Sequence, residues 1–181
     1  FSDFIHDVQL ETTGAEISFN APLQFDACIK KGEIHVSDMF NLYTYENQLY
    51  TIRMSGKEIH DLLEMSYRQW VDTMKSKDDH IMLMNQDNNG RYHWQNLAFN
   101  FDSAAGIDYE VDVTKENGHK VKILRMSDGR PFNEDKTYIV AMNSYRGNGG
   151  GELLTKGAGI PLEEIKSRIE HISEKDQRRL L

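Results

Sequence analysis

Apolar residues fall along this chain in two periods, and the places where the period changes outline its elements. Phe1, Phe4, Ile5 and Val8 share one face at helical spacing over residues 1–12, and Thr13-Gly14 reads as the stop. Ile17 and Phe19 then alternate with polar residues, a short strand ending at Asn20-Ala21-Pro22. Glu33-Ile34-His35-Val36 reads as a second short strand, with Ser37 placed to cap a brief helix over 38–42. Residues 49–54 alternate again and are rich in strand formers.

The strongest local signal follows. Ser55-Gly56-Lys57-Glu58 is a capping box, in which the serine hydroxyl and the glutamate carboxylate satisfy amides at the helix start. The stripe Ile59, Leu62, Leu63, Ser66, Tyr67, Trp70 and Met74 predicts a helix over 56–74, ended by a charged loop at 75–79. Beyond it the period is two. Ile107, Tyr109, Val111 and Val113 alternate, Asn117-Gly118 signals a hairpin, and Val121, Ile123 and Met126 form its return. Asp128-Gly129 makes another turn. Residues 137–142 are nearly all apolar, as in a strand buried on both faces, and lead into Asn143-Ser144-Tyr145-Arg146 and the run Gly147-Asn148-Gly149-Gly150-Gly151. After Pro161, Leu162, Ile165, Ile169 and Ile172 predict a last amphipathic helix. With no internal repeat and no long linker, the fold class expected is α+β, a single domain with a mixed β-sheet packed by helices.

Composition narrows the function. The 181 residues carry 29 acidic against 21 basic side chains, a formal charge of −8, which disfavours polymeric nucleic acid as a partner. A 39% hydrophobic, 28% charged chain is that of a soluble globular domain, and no apolar run approaches the ~20 residues of a membrane span. One cysteine, Cys28, excludes an internal disulfide and a thiolate metal cluster. The opening Phe1-Ser2-Asp3-Phe4 lacks an initiator Met and a signal-type stretch, and reads as a mature or excised domain.

No complete active site can be assembled from these residues. Asp78-Asp79-His80 contains a D-x-H triplet suited to a dinuclear metal centre, but it lies in a charged loop and no G-N-H-[DE] follows. His119 belongs to the hairpin turn, and His6, His60 and His171 read as surface or core-edge residues. Cys28 has no neighbour to activate it, and no G-x-S-x-G elbow is present. The glycine run is a place where backbone amides could approach an anion or a sugar, or it is simply a flexible turn. Tyr145 beside it, and Tyr43 and Tyr45 in Leu42-Tyr43-Thr44-Tyr45-Glu46-Asn47, are either core aromatics or the walls of a base-stacking slot.

Five segments carry a resemblance. Residues 15–23, 42–47, 54–58 and 106–112, with Asn143-Ser144-Tyr145-Arg146-Gly147-Asn148-Gly149-Gly150, resemble in this order the C-terminal domain of the 5′-nucleotidase family. That family includes the bacterial 2′,3′-cyclic-nucleotide 2′-phosphodiesterase/3′-nucleotidases. The resemblance implies that residues 1–181 are a substrate-binding domain. A catalytic metallophosphoesterase domain holding two divalent metal ions is expected upstream, outside this sequence. It places the base between Tyr45 and Tyr145, a base-contacting amide at Asn47, and the sugar and phosphate end along Asn20, Gly149 and Gly150. Arg146 either faces the phosphate or pairs with a surface acid.

No catalytic or metal-ligating residue is expected in the chain itself. Its partners would be a nucleotide or nucleoside and its own N-terminal domain, in a periplasmic or secreted setting. A non-catalytic nucleoside-binding or assembly module is the alternative.

Two departures bear on the substrate. Asn20-Ala21-Pro22-Leu23 stands where the 5′-nucleotidase branch has N-G-G-G-I-R, so its arginine is absent. Gly151 stands where that branch has the aspartate of G-G-D, which holds the ribose hydroxyls. Both resemble the cyclic-phosphodiesterase/3′-nucleotidase branch, and a carboxylate there would oppose a 3′-phosphate. Gly151→Asp is the obvious way to restore the grip.

Overall fold

The computed structural model describes residues 1–23 and 27–180. Helix α1, Ser2–Thr13, ends at Gly14, whose φ of 65° turns the chain into strand β1, Ile17–Asn20. After α2, Val36–Leu42, strand β2, Gln48–Ser55, runs directly into α3, Gly56–Trp70. The capping box is formed at that junction: Ser55 Oγ accepts from the Glu58 amide at 3.2 Å, and Glu58 Oε2 accepts from the Ser55 amide at 2.8 Å. Short strands β3, Met84–Gln86, and β4, Tyr92–Trp94, make one hairpin. Then come β5, Ser103–Ala105, and the hairpin of β6, Ile107–Val111, with β7, Val121–Met126. Strand β8, Thr137–Asn143, passes into a one-turn helix α4, Ser144–Gly147, and the chain closes with α5, Leu162–Arg168, and β9, Ile169–Asp176.

Five strands form the main sheet, in the order β5-β1-β8-β2-β9. The β1–β8 pair is parallel and the other pairings are antiparallel, so the sheet is mixed as expected. Ile17, Phe19, Ile52, Met54, Val140 and Met142 of the sheet pack with Ile59, Leu62 and Leu63 of α3 in the core. The near-continuous apolar run of β8 is a central strand, flanked by β1 and β2.

Four local expectations are corrected. Residues 33–35 are not a strand: Ile34 and Val36 are exposed, and no described strand pairs with them. Helix α2 starts earlier than expected, capped at His35 rather than Ser37, with Asp38 Oδ2 accepting from the His35 amide at 2.8 Å. Helix α3 stops at Trp70, four residues short of Met74. The chain beyond it is drawn into pairing instead, through the Val71–Met82 bridge, Asp72 N to Ile81 O at 3.0 Å and Met74 N to Val113 O at 2.9 Å. The last amphipathic run is only two helical turns, because from Ile169 onward the same residues pair with β2.

Candidate functional site

Strands β2 and β8 pair antiparallel with Leu49 opposite Asn143, so the residues just before β2 meet those just after β8. Residues 45–47 and 143–145, about a hundred positions apart in sequence, thereby share one corner of the sheet. The Ser144 hydroxyl joins the two, accepting from the Gln48 amide at 3.1 Å and donating to Asn47 Oδ1 at 3.3 Å. Asn143 accepts from the Arg146 amide at 2.9 Å and so caps the α4 turn that presents Tyr145.

These groups surround a cavity of about 200 Å³ lined by Leu23, Tyr45, Asn47, Phe99, Asn143 and Tyr145. Tyr45 and Tyr145 are 46% and 40% exposed, an unusual state for tyrosines beside a core. Phe99 touches both, with its ring centroid 6.4 Å from Tyr45 and 5.9 Å from Tyr145. Both tyrosine rings meet it edge-on, at 66° and 84°. No charged side chain is among the described lining residues. Its described polar groups are the Asn47 and Asn143 amides and the two tyrosine hydroxyls, which suit a flat, hydrogen-bonding ligand of less than drug size.

Asn47 is held from several sides. Its Nδ2 donates to the Tyr43 hydroxyl at 3.2 Å, and its carbonyl accepts from the Gln177 amide at 2.6 Å. Tyr43 is fully buried, and burial pushes its hydroxyl pKa up to about 12, so it stays a neutral anchor.

The other expected site residues do not line the cavity. Asn20 is buried at the end of β1, and neither atom of its amide finds a partner among the described residues. Its loop reaches the cavity through Leu23. Arg146 faces neither open solvent nor a surface acid. It is 2% exposed and grips buried Asp102 with both arms, Nε to Oδ2 at 2.8 Å and Nη2 to Oδ1 at 2.7 Å.

Gly150 packs behind the Tyr145 wall, whereas Gly149 faces Leu162, Ile165 and Thr155. A Cβ on Gly150 would lie 2.5 Å from the Tyr145 ring, so the glycine is needed for close approach. Gly151, at φ 68°, leaves no space for the aspartate that the resemblance suggests restoring: a Cβ would lie 2.2 Å from Asn100 Oδ1 and 2.3 Å from Arg146 Nη1. Gly151→Asp would disrupt the wall rather than add a ribose contact.

The metal question has a local answer. Asp79 spends its carboxylate on its own turn, accepting from the Lys75 and Ser76 amides at 2.6 and 2.8 Å, which holds its pKa below the usual range. His80 packs against Tyr92. Among the described residues no three His, Cys, Asp or Glu side chains come together as a group. Cys28 is exposed. His6 is buried rather than at the surface, and His60 bonds the Val121 carbonyl at 3.1 Å.

Sequence reasoning did not reach Phe99, Asn100 and Asp102. They sit on a 3₁₀ turn, Ala98–Asn100, and its exit, in a stretch without a clear period. The available signal was the aromatic-amide-aromatic-acid run Phe99-Asn100-Phe101-Asp102 itself.

A model of the family "5′-nucleotidase, C-terminal domain" matches residues 1–156. Among curated proteins, the chain is 32% identical over 134 residues to the trifunctional nucleotide phosphoesterase protein YfkN of Bacillus subtilis, a match spanning 68% of this chain and 9% of that protein. It is 29% identical over 137 residues to the 2′,3′-cyclic-nucleotide 2′-phosphodiesterase/3′-nucleotidase of Salmonella typhimurium, covering 67% of this chain and 20% of that protein. The chain thus spans a fifth or less of these relatives. Among solved structures, the 5′-nucleotidase of Staphylococcus aureus described as putative superposes with a TM-score of 0.72 at 21% identity, covering 99% of this chain and 32% of the other. The 5′-nucleotidase precursor of Thermus thermophilus superposes with a TM-score of 0.65 at 21% identity, covering 99% and 30%.

Proposed function

Because this chain belongs to the 5′-nucleotidase C-terminal domain family, we propose that it is the nucleoside-recognition domain of a metal-dependent nucleotide phosphoesterase. In this reading Tyr45 and Tyr145 stack on the two faces of the base, and Asn47 bonds its edge. Asn20 and the Gly149-Gly150 loop shape the sugar end from behind the walls, and Arg146 acts through the wall rather than on phosphate. The observation that carries the reading is the β2–β8 pairing, which gathers two exposed tyrosines and two amides around one base-sized cavity.

Phosphate and the two divalent ions belong, on this proposal, to an upstream metallophosphoesterase domain in a periplasmic or secreted protein. The glycine at 151 and the absence of an arginine in the Asn20 loop support 2′,3′-cyclic nucleotides and 3′-nucleotides over 5′-monophosphates as substrates of the whole protein. The name of the Salmonella relative supports the same reading, and that of the Bacillus relative supports a nucleotide phosphoesterase more broadly. No helix among the described residues is long and apolar enough to cross a membrane.

The test is titration of this chain with adenosine, followed by NMR. Binding on the order of millimolar is expected, without turnover of 3′-AMP in the presence of Mn²⁺. Each of Tyr45→Ala and Tyr145→Ala should cost ~1–3 kcal/mol, the value of one base–aromatic stack. Adenosine affinity untouched by either substitution would refute the slot.

A further inference from the structure

Phe99 and Arg146 have a joint role that the two-tyrosine slot does not explain. The Arg146 guanidinium lies behind the cavity and binds three residues from two separate segments. Nε and Nη2 hold the Asp102 carboxylate, Nη2 also donates to the Phe99 carbonyl at 3.1 Å, and Nη1 donates to the Gly150 carbonyl. Its central carbon sits 5.5 Å from the Tyr145 ring. Asn100, from the same turn as Phe99, faces the Tyr145 hydroxyl at 3.5 Å. One planar cation thus fixes the turn at residues 98–102 against the glycine loop that backs Tyr145. Phe99 stands on that turn, edge-on to both tyrosines and lining the cavity with them.

Resting on the slot reading above, we infer that Phe99 is the floor of the slot, a third aromatic contact that meets the base at its inserted edge. Arg146 with Asp102 is the positioning pair that holds this floor at its distance from the walls. The pairing is specific to arginine. A lysine ammonium is a single point and cannot hold a carboxylate by two parallel bonds while serving two carbonyls in one plane. Burial makes the arrangement unforgiving, because loss of either partner leaves a charge without water.

Adenosine titration of this chain and its variants separates the outcomes. Phe99→Leu is expected to weaken binding about fivefold or more, and Phe99→Tyr to retain it. In the unsubstituted chain, saturating the Phe99 ring should transfer to the adenosine base protons. Arg146→Lys should weaken binding to a similar degree. In the double variant with Phe99→Leu the two losses should be clearly less than additive, because both act in part through the same floor. A purely structural arginine would give additive losses. Asp102→Asn, close to isosteric, repeats the positioning test by a second route, and the saturation transfer needs no variant.

Phe99→Leu binding within about twofold of the unsubstituted chain, while Tyr45→Ala is impaired, overturns the floor and leaves the slot standing. Additive losses at Arg146 and Phe99 overturn the positioning pair. Adenosine binding indifferent to both tyrosines overturns the slot and this inference together.

Discussion

His6 shows what a single buried residue contributes here. Its Nδ1 bonds the Ser18 hydroxyl at 2.9 Å, and that hydroxyl donates onward to Gln9 Oε1 at 2.6 Å. Nδ1 therefore carries the proton, and Nε2, 3.2 Å from the Ser103 hydroxyl, is left as an acceptor of the neutral ring. Burial lowers the His6 pKa below 6.5, against the opposing pull of Asp102, Asp3 and Asp7. A histidine that stays neutral when folded binds its proton more readily unfolded. Stability is thus complete well above pH 6.5 and falls as pH drops through 6.5 toward the folded value. Urea midpoints between pH 8 and about pH 5 should decline more steeply in the unsubstituted chain than in His6→Gln, whose side chain does not titrate. Equal slopes would show that His6 titrates alike in both states.

At the scale of elements, α3 depends on how its first turn is met from outside. Gly56 opens the helix, and alanine in place of a helical glycine ordinarily stabilises by roughly 0.5–1 kcal/mol. Here the loop before β8 docks on that turn. Gly56 N donates to Lys136 O and Lys57 N to Glu134 O, each at 2.9 Å. A Cβ at Gly56 would lie 2.3 Å from the Asn133 carbonyl oxygen and 2.7 Å from the Glu134 Cα, both backbone atoms that cannot swing aside. The overpacking term outweighs the propensity gain, so Gly56→Ala should destabilise by about 1–3 kcal/mol in denaturant unfolding. A stabilised variant would mean that the 133–136 loop yields freely.

For the molecule as a whole, the C-terminal strand closes an edge that would otherwise be open. Residues beyond 156 lie outside the family match, yet β9 pairs along β2 and Gln177 donates to the Asn47 carbonyl at the site. Leu49 N also donates to Ser173 Oγ at 2.9 Å. Apart from Ser173, β9 is half-buried or exposed, so its value is mainly the ladder. Ending the chain after Arg168 keeps the Arg168–Glu58 ion pair and removes that ladder. The expected loss is about 2 kcal/mol or more, a few net hydrogen bonds. The bared β2 edge should also promote self-association, visible by sedimentation. A truncated chain that stays monomeric with an unchanged unfolding midpoint would refute that role.

The sequence alone determined whatever depends on neighbours along the chain. The S-x-x-E box opened α3, Gly14 stopped α1, and Asn117-Gly118 lay between two alternating strands that pair as β6 and β7. Each is set by capping, turn geometry or side-chain period within a few residues. Motif resemblance pointed to the family, and it named Tyr45, Asn47 and Tyr145, which the fold brings to one cavity. Long-range pairing decided the rest. The spacing of Ile165, Ile169 and Ile172 fits a helix, but hydrogen bonds offered by the β2 edge convert its second half to strand. Residues 71–74 leave the stripe of α3 for the same kind of reason. Arg146 carries no mark in sequence of its burial against Asp102, forty-four positions away, and Phe99 none of its contact with two tyrosines. Both depend on which strands pair and in what register, a free energy shared by residues far apart in the chain and absent from any local window.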